Sequence, residues 1–87
     1  MATVFIPAQL RSFTDGVAEM TAVGETLREV LADVGTRYPR FVEQIVRDGQ
    51  FVPGIAVAID GAMTNRGLLA RVGATSEVHF LPAIGAG

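Results

Sequence analysis

The stretch Thr21-Ala22-Val23-Gly24-Glu25-Thr26-Leu27-Arg28-Glu29-Val30-Leu31-Ala32-Asp33-Val34-Gly35 decides the architecture. Val23, Leu27, Val30, Leu31 and Val34 recur at i, i+4, i+7, i+8 and i+11, a single apolar stripe along an α-helix. This predicts a helix over residues 22–35. The Thr21 hydroxyl is its expected N-cap, and Glu25 brings negative charge to the first turn. Gly35 and the Tyr38-Pro39 pair bracket its end, because the residue before a proline avoids helical geometry. Pro39 can then open a second, shorter helical turn anchored by Phe41 and Ile45 at i, i+4.

A single apolar stripe has to be laid on a partner, and the flanking sequence supplies one. Residues Thr3 to Ala8 are rich in β-formers, with Val4, Ile6 and Ala8 on one face and Phe5 on the other. Phe13-Thr14-Asp15-Gly16 is a hairpin turn signal, after which Val17 to Met20 is expected to return as a short strand. Beyond the helix, Asp48-Gly49 marks another turn. Ile55, Val57 and Ile59 alternate with Ala56 and Ala58 in a strand that ends at Asp60-Gly61. Residues 62–75 are read as irregular, with Leu68, Leu69 and Val72 tucked under the sheet. Glu77 to Pro82 is the last strand, with Val78 and Phe80 opposing His79 and Leu81. The expected class is therefore α+β, a sheet crossed on one face by one main helix. Its inward set is Val4, Ile6, Val57, Ile59, Val78 and Phe80. Residues 1–82 form one domain on this reading, and 83–87 read as a flexible C-terminal tail.

Composition narrows the function. With 87 residues there is room for one core. The absence of cysteine excludes a disulfide framework and thiolate metal sites, and fits a reducing cytoplasm. The net charge is −2, every cation is an arginine, and no basic stripe exists, which argues against nucleic acid. No apolar run approaches the roughly 20 residues that span a bilayer, so no membrane partner is expected. Met1-Ala2-Thr3-Val4 lacks the charged start of a signal peptide.

Side-chain chemistry finds no footing. There is no glycine-rich phosphate loop and no Cys or His cluster, so no metal site is expected. His79 is the only histidine; it reads as a surface sheet residue in preference to a catalytic one. Glu25, Glu29 and Asp33 imitate a paired acid site, but Arg28 and Arg37 among them mark a solvated helix face. Thr75-Ser76 has no partner base. What remains is one surface and the tail. Phe5, Ala56, Ala58, His79 and Leu81 all point away from the helix. They form either scattered surface hydrophobes or a docking face for a larger protein.

Several segments in order carry a likeness: Val4-Phe5-Ile6-Pro7-Ala8-Gln9-Leu10-Arg11, Thr21-Ala22-Val23-Gly24-Glu25-Thr26-Leu27, Arg37-Tyr38-Pro39, Ile55-Ala56-Val57-Ala58-Ile59-Asp60-Gly61, and Glu77 through Gly87. Over nearly its whole length the chain resembles the MoaD/ThiS family of ubiquitin-like sulfur carriers. Pro7 and Leu81-Pro82 lean toward the CysO-like branch. The resemblance implies a β-grasp fold and a chain that is not itself an enzyme. It also implies that the working group is the C-terminal carboxylate of Gly87. An adenylating enzyme, using ATP, would attach AMP to that carboxylate. Sulfide or a persulfide would displace the AMP, and the resulting thiocarboxylate would supply a sulfur-accepting biosynthetic enzyme. No cofactor is bound by the carrier itself. Family members end in Gly-Gly, whereas this chain ends Gly85-Ala86-Gly87. The alternatives are a β-grasp interaction subunit without thiocarboxylation, which Ala86 favours, and a ubiquitin-like protein modifier using the same terminus.

Overall fold

A computed structural model of the protein describes residues 1–82. Strand β1 (Ala2–Phe5) is followed by a 3-10 segment (Ala8–Thr14) and β2 (Glu19–Ala22). Helices α1 (Leu27–Arg37) and α2 (Pro39–Ile45) come next, then a small hairpin of β3 (Val46–Arg47) and β4 (Gln50–Phe51). Strands β5 (Ile55–Ile59) and β6 (Ala62–Thr64), a 3-10 turn (Gly67–Leu69) and β7 (Glu77–Pro82) complete the order. The main sheet runs β2-β1-β7-β5-β6. Its central pair, β1 and β7, is parallel, and every other pairing is antiparallel.

The apolar stripe of α1 lies on one face of this sheet. Leu27, Val30, Leu31 and Val34 are buried, and they share one core with Val4, Ile6, Val57, Val72, Val78 and Phe80. Tyr38 ends α1 ahead of Pro39, as the X-Pro rule requires. Pro39 begins α2, whose Phe41 and Ile45 are fully buried. The Phe41 ring meets Phe80 edge-on at 5.9 Å, tying α2 to the sheet.

The helix start is where periodicity misleads. Val23 fits the stripe but is 51% exposed, and residues 19–22 are a strand paired with β1. The true N-cap is Thr26, whose Oγ1 accepts the Glu29 N–H at 3.3 Å, while the Glu29 carboxylate accepts the Glu25 N–H at 2.7 Å. Gly24 makes the break. Its φ is +151°, and a Cβ there would stand 2.7 Å from the Val30 nitrogen. Asp33 holds the crossing from the other side by accepting the Val23 N–H at 2.9 Å. Gly35, expected at the helix end, lies inside α1, which runs two residues past it to Arg37.

Further differences have equally local causes. The first strand stops at Phe5, and Ala8 opens the 3-10 segment, where it is exposed. The Arg11 guanidinium donates to the Ile6 carbonyl at 3.0 Å, and the buried Thr14 hydroxyl sits 2.9 Å from the Val17 carbonyl. The second strand is therefore displaced to residues 19–22. The stretch 62–75 is not wholly irregular, because Asp60 and Gly61, at φ +53° and +83°, turn the chain back into β6. Leu69 is exposed; in that 3-10 turn Leu68 takes the place against the core. Gly85, Ala86 and Gly87 lie outside the described residues.

Candidate functional site: the open sheet face and the end of strand β7

The sheet face opposite α1 carries the residues singled out from the sequence. In the β1–β7 register Phe5 is opposite His79; in the β5–β7 register Ala58 is opposite His79, and Ala56 opposite Leu81. Directly opposed residues on neighbouring strands share a face, so all five fall on one surface. The Phe5 and His79 rings are stacked, with centroids 4.2 Å apart and planes 6° apart. His79 Nε2 lies 3.5 Å from Glu77 Oε1, too far for a strong hydrogen bond. Leu81 is 41% exposed, and Phe5, Ala56 and His79 are half-buried.

Ala58 departs from expectation: only 6% of it is exposed. Its methyl is flanked by His79 on β7 and Met63 on β6, two larger side chains that cover it. Met63 itself is 61% exposed and extends the row, a residue that an irregular reading of 62–75 passes over. The Asp60-Gly61 signal could have found it, since such a turn implies a returning strand in which Met63 faces Ala58. At the other end of the row Glu19 stands opposite Phe5. The surface is thus an apolar strip with carboxylates of Glu19 and Glu77 on its margin.

The strip runs to the rim where β7 ends. There Leu81 joins Pro7, Gln9, Leu10, Gly54 and Ile55 around a mainly apolar cleft of about 160 Å³. β7 ends at this rim with Pro82, the last described residue. At the opposite end of β7, Asp60 fixes the strand start: its Oδ1 accepts the Glu77 N–H at 2.9 Å and its Oδ2 the Ser76 hydroxyl at 2.7 Å. The bond from the Glu77 amide, then that from Ser76, hold the Asp60 carboxyl below the usual carboxylate range, against a small opposing effect of desolvation. Among the described residues no group of three or more His, Cys, Asp or Glu could hold a metal ion, and no helix is long and apolar enough to cross a membrane.

A mixed sheet with a parallel central pair, one long helix across it and an open apolar face defines a β-grasp, ubiquitin-like domain. Similarity to known proteins narrows this. The ThiS family model matches residues 4–87, and the chain belongs to that family. It is similar to a chain of the Amycolatopsis orientalis BexX/CysO complex at 29% identity and a TM-score of 0.91, covering 100% of both chains. Mycobacterium tuberculosis CysO matches at 26% identity and a TM-score of 0.88, over 97% of this chain and 100% of that one. The solution structure of small archaeal modifier protein 1 from Methanosarcina acetivorans shares the fold, with 24% identity, a TM-score of 0.80 and coverage of 99% and 95%. No curated protein sequence matches the chain. The family is thus fixed as ThiS, and the solved structures that the chain resembles share its fold over nearly their whole length.

Proposed function

We propose that this protein is a sulfur carrier whose chemistry resides in the carboxylate of Gly87. The observation that carries the reading is that the family match runs through Gly87, on a domain whose described residues include no group of three or more His, Cys, Asp or Glu that could hold a metal ion. In the first step the Gly87 carboxylate attacks the α-phosphate of ATP in an adenylating partner, and pyrophosphate leaves. Sulfide then adds to the acyl carbon, the acyl–O bond breaks, AMP leaves, and a thiocarboxylate remains. A persulfide instead gives an acyl disulfide, from which a second thiol releases the thiocarboxylate as it forms a disulfide with the persulfide's own carrier. A biosynthetic enzyme accepts its sulfur, water adds to the acyl carbon as the acyl–S bond breaks, and the chain ends as the carboxylate again. The ATP requirement fits a cytoplasmic reaction. A terminal glycine suits the first step because it adds no Cβ beside the reacting carbon. The strip of Phe5, Ala56, His79 and Leu81, with Ala58 beneath it and Met63 beside it, is the proposed dock for the adenylating partner. Glu19 and Glu77 on its margin favour a partner with cations around an apolar patch.

Incubation with an adenylating enzyme, ATP and a sulfur source, followed by intact mass, tests the reading. The expected result is replacement of one oxygen by sulfur in the wild-type chain, and none after deletion of Gly87 or addition of a residue beyond it. Equal sulfur incorporation by the chain lacking Gly87 would overturn the mechanism. Ala86, where the family has glycine, favours a second reading, an interaction subunit without thiocarboxylation. A wild-type chain that binds the partner through the sheet face yet never gains sulfur, while Ala86→Gly does, would establish it.

A further inference from the structure

The chain contains no lysine: all seven of its Lys and Arg positions are arginine. This bears on the acyl-donor reading above, on which the inference rests. An activated acyl group is open to attack by any amine within reach: the amine forms an amide bond, the acyl–O bond breaks, AMP leaves and a proton is released. A guanidinium stays protonated in proteins and is not a nucleophile, so no cationic side chain here can intercept the activated terminus. The α-amine of Met1 is the one primary amine in the sequence.

The fold keeps that amine away from the rim where the tail departs. β1 runs parallel to β7 with Thr3 opposite Glu77. Met1 is therefore level with position 75, seven residue rises, or about 23 Å, from Pro82. It lies against Val23, Gly24 and Arg71, at the far pole from the cleft of Pro7, Gln9 and Leu81. Five residues follow Pro82, and fully extended they reach about 18 Å. The terminus cannot acylate its own Met1. His79, the remaining nitrogen nucleophile, lies flat against Phe5 with Nε2 toward Glu77, and an acyl-imidazole would hydrolyse back to the carboxylate.

We infer that the chain is a donor that cannot serve as its own acceptor: its activated terminus passes only to a nucleophile brought from outside, and copies do not link through side-chain amides. The test bypasses the activating enzyme by producing the full chain as a Gly87 thioester from an intein fusion. The wild-type thioester should yield only thioester and free acid, with no species lighter than the acid by one water and no covalent dimer joined through a side chain. Gln9→Lys places an amine beside the tail exit. Effective concentrations for short flexible links are millimolar, so its self-amide should form on the order of a thousand-fold faster than the bimolecular reaction at micromolar protein. Arg71→Lys, at the far pole, should behave as wild type. A wild-type thioester that closes on itself or forms a dimer linked through a side chain (peptide mapping locates the bond), or a Gln9→Lys chain that loses its thioester no faster than wild type, would overturn the inference. Because no sulfur donor or partner enters this assay, its outcome is separate from whether the chain is thiocarboxylated.

Discussion

Replacing Gly24 by alanine tests the account of how the helix is separated from β2. The position has φ +151°, where an L-residue is strained, and its Cβ would meet Val30 N at 2.7 Å, Glu29 Cβ at 2.8 Å and the Glu29 carbonyl carbon at 2.9 Å. Two of these three atoms are helix backbone, so the first turn of α1 has to move. Strain at a disfavoured backbone conformation costs about 1–3 kcal/mol, and overpacking a further ~1–3 kcal/mol, giving about 2–6 kcal/mol in all. A domain of this size has only about 5–10 kcal/mol to lose, so the melting temperature should fall by at least ~10 °C. Gly16→Ala separates the two contributions: φ there is +83°, but nothing lies within 4 Å of the new methyl. It should cost only the strain, about 1–2 kcal/mol. Urea unfolding followed by circular dichroism measures both. Equal losses for the two variants would refute the argument that close approach to Val30 makes Gly24 necessary.

Two further outcomes follow from the sheet. Because Asp60 is held below the ordinary carboxyl value near 3.9, its contribution is present above that pH and fades as acid protonates the folded carboxylate. The stability deficit of Asp60→Asn should thus be largest near neutrality and shrink below about pH 4, as read from urea midpoints over that range; a deficit independent of pH would contradict it. Leu81→Asp, at a half-exposed position on the rim, should change stability by less than ~1 kcal/mol yet weaken binding to the adenylating partner about tenfold or more, as loss of an apolar anchor does. Unchanged affinity by calorimetry would remove Leu81 from the dock.

The sequence by itself determined the elements whose signal is local. Leu27, Val30, Leu31 and Val34 could only be one helix face, and Ile55 to Ile59 and Glu77 to Pro82 could only alternate as strands. Tyr38-Pro39 could only end one helix and open another, since proline geometry needs no distant partner. Alternation within each strand separated Phe5, Ala56, His79 and Leu81 from the apolar residues that must face the helix, because a two-residue period is a property of the strand itself. Tertiary structure decided the rest. Val23 satisfies the helical period, yet pairing of Glu19–Ala22 with β1 and the tight passage at Gly24 take it out of the helix. No periodicity distinguishes these outcomes, since they depend on which backbone groups a distant strand occupies. Ala58 lies under His79 and Met63 because burial of a methyl is set by its cross-strand neighbours, not by its own polarity. The parallel pairing of β1 with β7 likewise exists only in the folded chain, and it alone sets Met1 and the tail exit at opposite poles, since the two strands are more than seventy residues apart.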